Sequence, residues 1–275
     1  MSSITDVYSP RTTFRCTRLR GAKVGSSVCQ FCAVGCSQLG FFKDGKLIDV
    51  EGDPRSAVNE GRLCPKGSST YALNENPYRK VKPMYRAPGS DHWEEVSLDW
   101  MLDTVAKRIW DTRNKGFVEK DPTTGITVNN CANIGFIGGS ANDNEECYLF
   151  RKLFTGGLGI LPVENSARYC HSTTVAALSP TFGFGACTNP PRDLLNSDCI
   201  LIMGSNMAEA HPCAFYWPMQ AKKKGAVTIH VDPRYTRTSA ACDHHVHIRP
   251  ETDIAFLSAI IRYILEKDLW FKEYV

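Results

Sequence analysis

The residues best equipped for chemistry lie between Cys29 and Lys66. Cys29, Cys32 and Cys36 fall within eight residues, and a fourth cysteine, Cys64, is followed by Pro65 and Lys66. The spacing C-x2-C-x3-C-x27-C sets three thiolates on one tight loop and a fourth far along the chain. That pattern suits a cubane [4Fe-4S] cluster, which takes one thiolate per iron and needs the loop to curl around it. Zinc is the main rival, although structural zinc sites usually draw their ligands as two separated short knuckles. Four unrelated buried or free cysteines are the third reading.

A second group is Asn165-Ser-Ala-Arg168-Tyr-Cys170-His171-Ser-Thr-Thr174. A cysteine with Arg168 and His171 close by in sequence suits a thiol of lowered pKa, serving as a nucleophile or as a soft ligand to a metal. The alternative is a small buried side chain. Two loops form a third group. Gly204-Ser205-Asn206 and Asp232-Pro233-Arg234 each follow an apolar run. A glycine allows close backbone approach, Ser and Asn offer hydrogen bonds, an acid at a strand end suits ribose hydroxyls, and Arg234 can pair a phosphate. The G-x-G-x-x-G of an ordinary nicotinamide site is missing, and simple turns would explain both loops equally well.

These residues need elements to hold them. Residues 1–28 read as an irregular polar arm. Leu39 to Val50 reads as two short apolar segments about Asp44-Gly45, a dipeptide favoured in tight hairpins, and that hairpin would fold Cys64 back toward Cys29. From Ser97, a cap candidate, Leu98, Met101, Leu102, Val105, Ala106, Ile109 and Trp110 follow a helical period. Residues 114–130 read as a linker loop, 133–138 as a buried strand, and Asn142 to Gly157 as a helix opened by short polar and acidic side chains. Then come a parallel strand at 198–203, a helix from Pro212 to Lys224 weakened by Pro218, and a strand at 226–231. His244-His-Val-His-Ile248 reads as strand alternation rather than a metal site. A helix over 252–267, with Thr252 as cap, completes the series. Strand, helix, strand order places a ligand beyond the carboxyl ends of the strands.

The whole chain sets bounds on these readings. At 275 residues it has room for two domains. Lys plus Arg number 32 against 29 Asp plus Glu, so no nucleic-acid partner is expected. Twelve cysteines without a disulfide framework point to reducing conditions. No apolar run serves as a signal core or membrane span, so the expectation is a cytoplasmic protein with no direct membrane insertion, or a periplasmic one if a signal was removed or is carried by a partner. Cys16, Cys131, Cys147, Cys187, Cys199, Cys213 and Cys242 show no site spacing, and Cys147 and Cys199 fall on expected core faces.

Taken together, the cluster motif with Cys64-Pro-Lys66-Gly, Arg168-Tyr-Cys170-His171, Phe182-Gly-Phe-Gly185-Ala-Cys-Thr188-Asn189, Met203-Gly-Ser-Asn206 and His230-Val-Asp232-Pro-Arg234-Tyr-Thr-Arg-Thr238 resemble the molybdenum or tungsten bis-pterin-guanine-dinucleotide oxidoreductases. Within that family the likeness is to the N-terminal part of a formate dehydrogenase catalytic (alpha) subunit. The resemblance implies an α/β fold of the DMSO-reductase type: a small N-terminal [4Fe-4S] domain with short β-hairpins (1–88), then parts of two Rossmann-like α/β domains (89–165 and 166–275).

It also implies roles. Cys29, Cys32, Cys36 and Cys64 would hold the cluster. Cys170 would be the protein ligand to Mo or W, with His171 and Arg168 beside it. Lys66 would lie between cluster and pterin. Gly204, Ser205, Asn206, Asp232, Arg234, Thr252 and Asp253 would hold one of two molybdopterin guanine dinucleotides. Cys187 stands where relatives usually have methionine. The substrate would be formate or CO2. The partners would be the remaining C-terminal portion of the catalytic subunit and an iron–sulfur electron-transfer (beta) subunit, because relatives are far longer and this chain alone cannot enclose both pterins. Another molybdopterin oxidoreductase, such as a nitrate reductase, or a pterin-free iron–sulfur electron-transfer subunit are the alternatives.

Overall fold

The computed structural model describes residues 2–3 and 18–275. These fall into two compact units, one drawn from Met1–Ala72 and Asn189–Val275, the other from Leu73–Thr188. The mixed α/β architecture implied by the sequence motifs is present in both.

The first unit begins with an antiparallel sheet. Lys23–Val28 pairs with Ser37–Lys43, which pairs with Lys46–Gly52. Asp44 and Gly45 both have positive φ (51° and 78°), as a tight hairpin turn requires. The expected irregular arm is therefore corrected: its last six residues are a strand, and Ser2–Ser3 pairs with it. Pairing explains this: Val24 is buried between exposed Lys23 and half-buried Gly25, and the strand lies against Ser37–Lys43. Cys16 lies outside the described residues. Leu39 and Phe41 continue the core with Leu19 and Ala22.

The rest of this unit is a parallel sheet ordered Cys199–Met203, Val227–Val231, His244–Val246. The helix Pro212–Lys223 packs Phe215 and Ala221 against Ile200, Ile202 and Ala226. It continues through Pro218 without interruption, and Pro218 is fully buried, so packing outweighs the lost hydrogen bond. Asp243 accepts from Thr228 N and Oγ1 at 2.9 and 2.8 Å and pairs with Lys222 at 2.9 Å, which ties the second strand to the third. These contacts hold its carboxyl well below the usual carboxylate range. The last helix is Asp253–Glu266. Thr252 occupies the capping position, but its hydroxyl donates backward to Arg249 O rather than accepting from the helix, so the expected cap is corrected.

The second unit carries the helix Leu98–Gly116, capped by Ser97 Oγ accepting from Trp100 N at 3.2 Å. The expected linker loop is instead a β-hairpin, Phe117–Lys120 with Thr127–Cys131. Asp121 closes its turn by accepting from Thr123 N and Thr124 N at 2.9 and 2.7 Å, a local bond that turn chemistry favours. The expected buried strand is only Phe136–Gly138, with Ile137 exposed, and it pairs in parallel with Val163–Asn165. Asp143 and Glu146 form a reciprocal capping box at the start of Asn144–Arg151, and a wider turn continues to Gly157. Cys147 is exposed here, as Cys199 is in the first unit. Neither is buried among the described residues, where a core face was expected. Among the described residues no helix is long and apolar enough to cross a membrane.

Candidate functional site

The four spaced cysteines converge in the first unit. Cys29 N donates to Cys36 O at 2.9 Å, closing the loop that holds Cys32. Asn59 then ties this loop to the approach of Cys64. Its Oδ1 accepts from Ser37 N at 3.0 Å, while Nδ2 donates to Ser37 O at 3.1 Å and to Arg62 O at 2.8 Å. Gly52 must lack a side chain, since a Cβ there would meet Gly61 O at 2.4 Å, and this close approach brings the returning chain against the hairpin. Gln38 Nε2 donates to Gly67 O at 2.9 Å and Thr70 Oγ1 at 3.1 Å, fixing the turn of helix Pro65–Ser68 that starts right after Cys64.

Cys29, Cys32, Cys36 and Cys64 all line one pocket with Phe31, Val34 and Leu63. Its wall is apolar, which excludes water and favours a cluster held by thiolates. Among the described residues no three His, Cys, Asp or Glu side chains close tightly enough to hold a single metal ion. Burial, reinforced by the neighbouring thiols of Cys213, Cys29 and Cys32, pushes the Cys36 thiol up to about 12. A thiol raised in this way gives up its proton only beside a strong positive charge, which iron would supply.

Three further residues, two lining this pocket and one bonded to its Lys66, carried no motif. Cys213 and His211 line it alongside Lys66, and Cys213 is buried among Cys29 and Cys36. Sequence spacing could not place residues that arrive from a helix almost 150 positions later. Glu209 is the third: Lys66 Nζ donates to its carbonyl at 3.0 Å.

The loops at the carboxyl edge of the parallel sheet are joined by a buried histidine. Gly204, with φ of 63°, donates its N–H to Val231 O at 3.0 Å. His230 is fully buried. Its Nε2 lies 3.2 Å from Ser205 O and its Nδ1 2.7 Å from Ser239 Oγ. Burial pushes its pKa below the ordinary imidazole value, against the opposing pull of Asp232. Asn206 Oδ1 accepts from Thr238 Oγ1 at 3.1 Å, and Thr238 Oγ1 accepts from Ala208 N at 2.9 Å. Asp232 Oδ1 accepts from Arg234 N at 2.7 Å, which leaves the Arg234 side chain on the surface, where it lines an open cleft with Glu209, Tyr235 and Arg237. The structure thus brings Gly204, Ser205, Asn206, Asp232 and Arg234 to one edge. Thr252 and Asp253 start the helix that follows the third strand. The bonds that join the first two loops do not include them among the described residues. The signal for His230 was a polar residue in an apolar strand.

In the second unit, Cys170 ends a short helix, Ser166–Cys170, directly after the parallel strand Val163–Asn165. His171 breaks that helix from the next, Ser172–Phe182. Its N–H donates to Ala167 O at 2.8 Å and its carbonyl accepts from Val175 N at 2.8 Å. The break leaves Cys170 and His171 both exposed, side by side at a strand's carboxyl end. Arg168 pairs with Glu164 at 3.2 Å and lines a cleft with Asn142, Cys147 and Asn165, so its charge is engaged by a carboxylate.

Comparison with known proteins agrees with this arrangement. Residues 22–76 match the model of the molybdopterin oxidoreductase Fe4S4 domain, and residues 79–269 that of molybdopterin oxidoreductase. The chain is 53% identical over 256 residues to formate dehydrogenase subunit alpha of Megalodesulfovibrio gigas, covering 92% of this chain and 25% of that one. It is 47% identical to formate dehydrogenase 2 subunit alpha (cytochrome c-553) of Nitratidesulfovibrio vulgaris, covering 94% and 25%. The chain therefore spans about a quarter of the length of these curated relatives. Acetylene hydratase from Pelobacter acetylenicus shares the fold, with a TM-score of 0.68 at 21% identity over 91% of this chain and 33% of that one. The converging thiols, the parallel-sheet loops and these matches together make the chain a member of the molybdopterin oxidoreductase family, carrying its Fe4S4 domain at the N-terminal end.

Proposed function

We propose that this chain is the N-terminal part of a formate dehydrogenase catalytic subunit, interconverting formate and CO2. Residues 1–88 form the cluster domain, 89–165 the first α/β part and 166–275 the dinucleotide-binding part. Cys29, Cys32, Cys36 and Cys64 would hold a [4Fe-4S] cluster. Cys170 would ligate Mo or W, and Gly204, Ser205, Asn206, Asp232, Arg234, Thr252 and Asp253 would hold one pterin guanine dinucleotide. The observation that carries the reading is the exposed Cys170-His171 pair at the break between two helices. A soft thiolate and a titratable imidazole at a strand's carboxyl end suit a metal-bound redox site. The names of the relatives at 53% and 47% identity support formate as substrate.

Formate oxidation releases CO2, one proton and two electrons, and the bound metal with its pterins supplies the electron-accepting chemistry. His171 would hold or take the proton, as an imidazole does in general acid–base chemistry. The His230 network fixes the loops that would receive phosphate and ribose. Lys66 places a positive charge at the edge of the cysteine pocket.

Further polypeptide completes the site in this reading. Leu98, Leu102, Val105 and Trp110 on one helix, and Ile254, Ile261 and Leu265 on another, are exposed, and an uncovered apolar helix face of this kind suits contact with further polypeptide. An iron–sulfur beta subunit would take the electrons away. Assembly in the cytoplasm is supported by the twelve cysteines, which need a reducing compartment to stay available as ligands.

The test is to assay the complete enzyme containing this chain with formate and, separately, with nitrate, each with a dye. Turnover with formate alone, abolished by Cys170→Ser while the cluster signal persists, is the expected result. Activity with nitrate instead would replace this reading with a nitrate reductase. Full retention of turnover in Cys170→Ser would remove Cys170 from the site.

A further inference from the structure

The turn His211-Pro212-Cys213 has no part in the reading above, yet it closes one side of the cysteine pocket. It begins the helix Pro212–Lys223 and is held firmly. His211 N donates to Met207 O at 2.9 Å, and Phe215 N donates to His211 O at 2.9 Å. The helix is locked to the segment leading into Cys64. Trp217, almost fully buried, donates from Nε1 to Val58 O at 3.0 Å, and the Arg62 guanidinium stacks 3.6 Å over the Tyr216 ring. The side chains at the start of this helix are thus positioned against the loop that supplies the fourth thiolate.

Two side chains on this turn carry groups that can donate into the pocket. His211 lines the pocket, and its Nδ1 is buried with no hydrogen-bond partner among the described residues. A buried polar atom in that state destabilises the fold unless something else satisfies it. Cys213 is buried against Cys29 and Cys36, its sulfur lies within reach of the Cys36 thiol, and among the described residues its S–H has Arg62 O at 3.7 Å as the alternative acceptor. Once Cys36 is an iron-bound thiolate it can only accept, so Cys213 must be the donor of that pair.

We infer that the His211-Pro212-Cys213 turn sets the reduction potential of the cluster, with the His211 Nδ1–H donating to a cluster sulfur and the Cys213 thiol donating to Cys36 Sγ. The inference rests on the assignment of Cys29, Cys32, Cys36 and Cys64 as cluster ligands. Hydrogen bonds to the sulfurs withdraw electron density and favour the reduced cluster, which carries one more negative charge. Removing either donor therefore lowers the midpoint potential without removing a ligand.

The experiment is a redox titration of the complete enzyme followed by electron paramagnetic resonance, with iron content measured in parallel. His211→Leu and Cys213→Val should each keep full iron and shift the ratio of reduced to oxidised cluster at a fixed potential by about tenfold, equivalent to about 59 mV downward for a one-electron couple. His211→Asn, which keeps a donor at the Nδ1 position, and Cys213→Ser, which keeps a hydroxyl donor, should stay near the wild-type potential. Unchanged potentials in fully loaded His211→Leu and Cys213→Val overturn the inference. Should those two lose iron, His211→Asn and His211→Gln decide, because glutamine carries its amide at the Nε2 position. A lowered potential in the glutamine variant alone supports the inference, and equal behaviour of the two overturns it. A wild-type enzyme without iron would instead defeat the ligand assignment itself.

Discussion

Lys66 Nζ donates to the backbone carbonyl of Glu209 at 3.0 Å, across 143 residues of sequence. This bond joins the helix that starts at Cys64 to the segment that follows the first strand of the parallel sheet. The same lysine borders the cysteine pocket, so a single cation touches both the proposed cluster site and the loop region proposed for the pterin dinucleotide. Lys66→Met keeps the length and apolar stem of the side chain and removes the charge. The cluster should assemble normally, its potential should fall, and turnover should slow by at least about tenfold, given the weight of a charge-assisted bond. Unchanged turnover would remove Lys66 from the electron route.

Cys64→Ser should strip the cluster. Cys64 brings the fourth thiol to the pocket from outside the Cys29–Cys36 loop, and an alcohol is a poor substitute for thiolate on iron. Iron analysis and the loss of the reduced-cluster resonance measure it. Cys199→Ser is the matched control, since Cys199 is exposed on the parallel sheet, and it should leave iron content unchanged.

Asn59 is nearly fully buried and makes three hydrogen bonds to the backbone. Asn59→Ala leaves Ser37 N, Ser37 O and Arg62 O without their partner, at a cost of roughly 3 kcal/mol. Denaturant unfolding of the complete protein should register the loss, and iron loading should fall with it, because the same bonds hold the approach to Cys64. A stability change within about 0.5 kcal/mol, as surface substitutions give, would mean that these bonds contribute little.

The buried His230 makes stability depend on pH. In the unfolded chain its imidazole takes up a proton near pH 6.5. In the folded chain it does so only at lower pH, because burial disfavours the cation. The unfolded state therefore binds more protons between those two values. The His230 contribution is complete above about pH 6.5 and is lost as pH falls below it. The melting temperature should drop between about pH 7.5 and about pH 5.5, and the drop should shrink in His230→Gln. An identical drop in the variant would assign the effect to other groups.

Local chemistry made several elements legible. The Asp44-Gly45 hairpin, the Ser97-capped helix, the polar start of the helix at Asn144 and the parallel strands after Asp198 each follow from interactions among residues a few positions apart. The missed elements depended on partners elsewhere. Lys23–Val28 became a strand only because Ser37–Lys43 lies beside it, and Thr252 turned its hydroxyl back to Arg249 because that acceptor was available. Cys147 and Cys199 were misjudged because a periodic apolar pattern does not reveal which side of an element the remaining chain covers.

By itself, the sequence determined the identity and order of the thiols, the Cys170-His171 pair and the two strand-end loops, since ligand type and spacing are properties of covalent neighbours. Tertiary structure alone decided what gathers around them. His211 and Cys213 reach the cysteine pocket, His230 joins two loops, and Lys66 finds Glu209 only when chain segments far apart pack together. Spacing along the chain carries no record of contacts that burial and hydrogen bonding create across such separations.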